Sequence, residues 1–152
     1  MDAVDPLIRR ISAEEVRPLR QRVLRPGQAF EETLYPGDDA GVHLGAFAGE
    51  ELVGIASLYE EDRAGGPPGG WRLRGMATDA GVRGAGYGAA LLAGCVEHVA
   101  GAGGTELWCN ARMPAVGFYR RAGFEVVSEE FDVPGIGAHV VMTRPMPGSP
   151  ER

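Results

Sequence analysis

Residues 76–90 read Met76-Ala77-Thr78-Asp79-Ala80-Gly81-Val82-Arg83-Gly84-Ala85-Gly86-Tyr87-Gly88-Ala89-Ala90. The run before it, Trp71 to Thr78, reads as a strand. After it, Leu92, Cys95, Val96 and Val99 recur at i, i+3, i+4 and i+7, which predicts an amphipathic helix. Gly84, Gly86 and Gly88 therefore alternate in the turn from a strand into a helix. Glycines there let the backbone come close to a ligand. The N–H groups of a first helical turn have no partners inside the helix, and the helix dipole adds to their pull on an anion. Arg83 contributes a charge-assisted donor. The natural guest is a phosphate or a pyrophosphate.

Outward from this loop the chain alternates strands, helices and turns. Residues 6–11 (PLIRRI) predict a first strand. Ser12 and Glu15 form a capping box, and the helix it opens carries Val16, Leu19 and Val23 on one face until Arg25-Pro26-Gly27 stops it. His43 to Phe47 and Leu52 to Tyr59 are apolar runs joined by Gly49-Glu50, a hairpin signal. Arg63 to Gly70 (RAGGPPGG) reads as the most flexible internal loop. Glu106 to Cys109 predicts a buried strand. Pro114 opens a short helix over Ala115 to Arg121 that Gly123 stops, and Phe124 to Phe131 and His139 to Arg144 close the series as strands. The order β-α-β-β-β-α-β-α-β-β predicts an α+β fold with a mixed, mostly antiparallel sheet of about seven strands. Residues 1–145 are expected to form one domain and residues 146–152 a flexible tail.

Composition narrows the chemistry. The 152 residues hold 24 Gly and 11 Pro, and all 15 basic residues are Arg. Without Lys, no Schiff-base chemistry is available and no Gly-Lys-Ser/Thr phosphate loop can form. A net charge of −6 argues against nucleic acid. No apolar run reaches the roughly 18 residues a membrane span needs. The acidic start, with Pro6, does not resemble a secretory signal. Cys95 and Cys109 sit in no paired pattern, so a cytoplasmic location with reduced thiols is expected. His43, His98 and His139 lack ligand spacing, so no metal is expected.

Three readings of the glycine loop compete. It can simply reverse the chain. It can be a dinucleotide fingerprint, since Gly84, Gly86 and Ala89 fit GxGxxG/A with Glu106 about 20 residues on. Against that, Glu106 opens its strand, and the chain offers one strand–helix–strand unit where a dinucleotide fold needs two halves. Third, Met76 to Ala90 resembles the acetyl-CoA loop of the GNAT superfamily of N-acetyltransferases. Arg83, Gly86 and Gly88 match its Gln/Arg-x-x-Gly-x-Gly/Ala pattern. Ala115 to Phe124 (AVGFYRRAGF) resembles the family's Phe-Tyr-x-x-x-Gly-Phe helix, and the element order agrees over nearly the whole chain. Residues 19–24 (LRQRVL), Glu31, Asp39, His43-Leu44 and residues 135–142 (GIGAHVVM) further resemble the subgroup related to ElaA. One departure is Ala85, where the family usually has Arg, Lys or Gln.

The resemblance implies a V-shaped splay between the central strands and direct acetyl transfer from acetyl-CoA to an amine. It implies that the backbone of Met76, Ala77 and Thr78 pairs with the pantetheine arm. Arg83, Gly84, Ala85, Gly86, Tyr87, Gly88 and Ala89 would hold the pyrophosphate, and Asn110 would touch the cofactor beyond the splayed strand. Tyr119 would be the general acid, since a phenol of ordinary pKa about 10 is protonated at neutral pH. Candidates for the base are Glu60 and Glu61 at a strand end, His43, and His139. His139 follows the bend Pro134-Gly135-Ile136-Gly137, and an imidazole suits proton relay. Cys109 reads as packing. Arg72 and Arg74 leave one face of their strand, where they can recognise an acceptor carboxylate or pair with acidic neighbours such as Glu60. The expected partners are a small-molecule amine and, at most, a second copy in a homodimer.

Overall fold

The computed structural model describes residues 6–24, 26, 27 and 29–147. Eight strands are present among them: β1 (Leu7–Ile11), β2 (Val42–Ala48), β3 (Glu51–Glu60), β4 (Gly70–Thr78), β5 (Glu106–Arg112), β6 (Glu125–Val126), β7 (Phe131–Val133) and β8 (Gly137–Pro145). The helices are α1 (Arg17–Leu19), α2 (Tyr87–Gly101) and α3 (Val116–Arg121), with several 3-10 turns. Hydrogen bonding orders the strands β1-β2-β3-β4-β5-β8-β6, with β7 on β8. Pair β4–β5 is parallel. Pairs β1–β2, β2–β3, β5–β8, β6–β8 and β7–β8 are antiparallel. The expected mixed, mostly antiparallel α+β sheet is therefore the fold. No helix among the described residues is long and apolar enough to cross a membrane.

The chain divides into two compact units. The first comprises Met1–Tyr59 and Gly75–Cys95. Ile11, Val16, Leu19, Phe47, Ile55 and Ala77 are buried together there. The β2–β3 hairpin turns at Gly49, whose φ of +61° suits glycine. The capping box forms as predicted: Ser12 N–H donates to Glu15 Oε1 at 2.8 Å, and Glu15 N–H donates to Ser12 Oγ at 3.1 Å. The long helix expected behind it does not form. Only Arg17–Leu19 is α-helical, and Arg20–Leu24 continues as a π-helix. Pro18 is the reason, because it has no N–H for Glu14 and interrupts the ladder at its start. The expected stop includes Arg25, which lies outside the described residues.

The second unit comprises Glu60–Arg74 and Val96–Arg152. The β4–β5 ladder joins only Gly70–Arg72 with Glu106–Trp108, although β5 runs on to Arg112 and β4 to Thr78. The single strand predicted over 124–131 is two short ones. Ser128 Oγ accepts the N–H of Val141 at 2.8 Å, taking a place a backbone carbonyl would fill, so β6 ends and β7 restarts at Phe131. The loop 63–70, read as flexible, is pinned instead. Arg63 pairs with buried Glu106, Gly70 N–H donates to Asp62 Oδ1, and Thr105 Oγ1 donates to Pro68 O. At the C-terminal end, Met146 is buried and its N–H donates to Thr105 O at 3.0 Å, one residue past the expected boundary. Residues 148–152 lie outside the described residues.

Candidate active site

In the first unit β4 ends at Met76-Ala77-Thr78, with Ala77 buried and its neighbours half-buried. Asp79 closes the strand. Its N–H donates to Val53 O at 2.7 Å, its Oδ1 accepts from Gly81 N–H, and its Oδ2 meets Arg22 at 2.9 Å. The Gly81 N–H and Arg22 hold this carboxyl below its ordinary range. Residues 83–86 then lead into α2, with Gly84 at φ +84° and Gly86 at φ +90°. A Cβ at either glycine would meet nothing within 4 Å. Glycine is thus required by backbone conformation, and the space before the loop is open. The first α2 bond is Ala90 N–H to Gly86 O at 3.0 Å, so the preceding N–H groups have no acceptor inside the helix. Arg83, Gly84, Ala85, Gly86 and Ala89 are exposed, Gly88 is half-buried and Tyr87 is buried. Exposed N–H groups at a helix start are the chemistry that takes a phosphate oxygen.

The same unit holds a buried polar network that the pattern reading missed. Arg20 is completely buried. Its Nη1 donates to Asp38 Oδ2 and Thr33 O, both at 2.8 Å. Its Nη2 donates to Asp38 Oδ1 at 3.1 Å, Ser57 Oγ at 2.8 Å and Tyr59 Oη at 3.2 Å. Tyr59 donates its hydroxyl to Asp38 Oδ1 at 2.5 Å. Burial by itself would raise the Asp38 carboxyl, but hydrogen bonds from Arg20, Tyr59 and Tyr35 N–H hold it at about 2. The Tyr59 phenol is pushed up to about 12 by burial and by its bond to Asp38. His43 belongs here too. Its Nε2 must donate to the carbonyl of Asp38 at 2.9 Å, so its Nδ1 accepts from Ser57 Oγ at 2.7 Å. With both ring nitrogens engaged, His43 is structural and drops out as a base. The signal for Arg20 was present: Val16, Leu19, Arg20 and Val23 stand at i, i+3, i+4 and i+7, which puts an arginine on a buried stripe.

In the second unit Asn110 is exposed on β5, opposite Val141, with the strand continuing two residues beyond it. Tyr119 is buried on α3, its ring edge-on to Phe118 and Phe124. Its hydroxyl hydrogen-bonds the sulfur of Cys109. Burial nevertheless pushes the Cys109 thiol up to about 12, so it stays protonated and packs. Gly123, at φ +92°, ends α3, and Phe124 N–H donates back to Tyr119 O at 3.1 Å. His139 is buried on β8, opposite Arg112 of β5 and Phe131 of β7, and stacks on the Phe131 ring. Its Nδ1 donates to Gly137 O at 2.8 Å, so Nε2 is the ring nitrogen that this bond leaves open. Glu60 is exposed at the end of β3. Arg72 meets Glu61 at 3.3 Å and lies over the Trp108 ring, so it pairs with an acidic neighbour, though not Glu60.

Residues 7–144 match the model of the acetyltransferase (GNAT) domain. The Bacillus subtilis (strain 168) protein named uncharacterized N-acetyltransferase YitI is 38% identical over 141 residues, covering 89% of this chain and 93% of that protein. Among solved structures, a Lactobacillus plantarum protein superposes with a TM-score of 0.78 at 22% identity, over 94% of this chain and 99% of that one. Escherichia coli ElaA does so at 0.69 and 18% identity, over 92% and 99%. A family model that spans the chain from β1 to β8, together with a relative this similar over nearly its full length, shows the family: the chain belongs to the GNAT family and is an acetyl-CoA-dependent acyltransferase.

Proposed function

We propose that this enzyme moves an acetyl group from acetyl-CoA directly to a primary amine of a small molecule or an exposed peptide. The glycine loop at the start of α2 carries the reading, with its left-handed Gly84 and Gly86, open space and helix-start N–H groups that have no acceptor inside the helix. Arg83 to Ala89 bind the pyrophosphate. The backbone of Met76, Ala77 and Thr78 holds the pantetheine arm and polarises the thioester carbonyl, and Asn110 makes a further cofactor contact. The amine nitrogen attacks that carbonyl and a C–N bond forms. His139 Nε2 first takes one proton from the ammonium form; after the attack the C–S bond breaks, the thiolate takes the Tyr119 proton, and the second nitrogen proton restores Tyr119. Glu60, exposed at its strand end, draws the cationic amine toward the site before deprotonation. Free CoA and an N-acetyl product leave.

Release of free thiol across an amine panel tests the reaction. Binding of CoA without thiol release on any amine would mark the domain as a non-catalytic acyl-CoA binder. Stabilisation by NAD but not by CoA would overturn the assignment of the loop. Gly86→Val is expected to weaken CoA binding about 100-fold by calorimetry, since it forces a β-branched residue into a left-handed conformation and fills the anion's place. Affinity within twofold of the parent would remove the loop from the donor site. Tyr119→Phe is expected to lower kcat about 100-fold with little change in the KM for acetyl-CoA. Full turnover by the Phe variant at every pH would end its acid role.

A further inference from the structure

We propose that Arg20 is a positioning residue for the donor-binding backbone of β4, acting through Gly75. This rests on the reading that Met76 to Thr78 hold the thioester. Gly75 directly precedes those residues and sits at φ +63°, a left-handed kink inside a strand. One face of that kink is walled by Arg20 and Tyr35. A Cβ at Gly75 would lie 3.2 Å from Tyr35 Cε2 and 3.3 Å from Arg20 Nε. Tyr35 in turn stacks on the guanidinium, its ring centroid 3.9 Å from Cζ. The wall cannot move freely, because both Nη atoms are fixed by Asp38, Thr33, Ser57 and Tyr59. Arg20 Nε, facing Gly75, is buried without a hydrogen-bond partner. A long apolar side chain could fill this volume without leaving a buried N–H unpaired. The guanidinium supplies something such a chain cannot: a rigid plane locked at five contacts from the 30–38 segment and β3. That plane fixes the kink at Gly75 and hence the direction of the N–H groups that follow it. Arg20 also opens the π-helical turn, a distortion that recurs at functional sites.

Arg20→Lys tests this, because an ammonium keeps the charge but has neither the fork nor the plane. The expected result is a kcat for amine-dependent CoA release at least tenfold lower, with the Kd for CoA within twofold, since residues 83–89 are untouched. A purely structural role would lower the Tm and leave kcat per folded molecule unchanged. Tyr35→Leu keeps the Asp38 ion pair, removes the stacked ring, and is expected to lower kcat three- to tenfold. It carries the test if Arg20→Lys does not fold. Backbone amide resonances of Met76 to Thr78 supply a readout that needs no acceptor: both variants should shift them while leaving Arg83 to Ala89 in place. If CoA fails to shift these three amides in the parent protein, the underlying reading of β4 falls. If CoA shifts them, yet the folded variants change neither kcat nor these resonances, the positioning role is overturned.

Discussion

Asp38→Ala is expected to lower the unfolding free energy by about 3–5 kcal/mol, the usual cost of removing one partner of a buried ion pair. The mechanism is specific. Arg20 has no exposed surface, and Asp38 accepts from both of its Nη atoms and from Tyr59. Without the carboxylate a guanidinium remains buried with no counter-charge, and the Tyr59 hydroxyl loses its acceptor. Against a total stability of about 5–15 kcal/mol, this is enough to unfold a marginal domain. Asp38→Asn keeps an acceptor without the charge and should fall between parent and Ala. The effect depends on pH with a definite sign. The Asp38 carboxyl is held at about 2, below its unfolded value near 3.8, so its contribution is present above about pH 4 and lost as pH falls toward 2. Tyr59, raised to about 12, acts in the opposite sense: its contribution is present below about pH 10 and is lost as pH rises toward 12. Urea unfolding of parent and Asp38→Ala should therefore differ most across the neutral range and converge near pH 2. A difference below about 1 kcal/mol at neutral pH would mean that water or a neighbour compensates Arg20.

Much of the sheet was legible because its signals are local. The hairpin at Gly49-Glu50, the α2 stripe and the stop at Gly123 each rest on residues a few positions apart, and each formed as read. The misreadings came from interactions over distance or from a missing donor. Pro18 removed one helical N–H, and the periodicity of Val16, Leu19 and Val23 outweighed that single absence. Ser128 broke a strand because its hydroxyl meets Val141 thirteen residues away, which no window around Ser128 displays. The loop at 63–70 is rich in Gly and Pro, but Arg63 reaches Glu106 across 43 residues.

The conformation of the glycine loop was legible for the same reason as the hairpin, since its left-handed glycines and the helix start lie within seven residues. The polar network was not. Arg20, Thr33, Asp38, His43, Ser57 and Tyr59 come from one π-helical turn, two 3-10 turns and two strands, with no shared spacing. Composition gave no warning either, because an arginine is expected at the surface. Only its place on an apolar stripe pointed inward. His43 shows the cost: a histidine in a strand was open to a catalytic reading until both ring nitrogens had partners.

His139 differs from His43 in that one respect, and the largest kinetic prediction follows from it. His139→Ala is expected to lower kcat/KM about 10²–10⁴-fold at pH 7, the range that general-base catalysis contributes. Its Nδ1–H is committed to Gly137 O at 2.8 Å, and the ring is held against Phe131, so the side chain presents Nε2 in a fixed direction. Gly137 can offer that carbonyl because it sits at φ +123°, where a side chain would be strained. The pH profile separates a base from a packing residue. Near pH 10 a good fraction of an ordinary alkylamine is already neutral, so no proton has to be removed before it attacks. The deficit of His139→Ala should therefore shrink as pH rises, whereas lost packing would leave it constant. His139→Gln fills more of the ring's space and cannot take a proton, so it should share the pH-dependent deficit. Equal deficits at pH 7 and pH 10 in both variants would assign His139 to packing and return the base to a water chain or to Glu60.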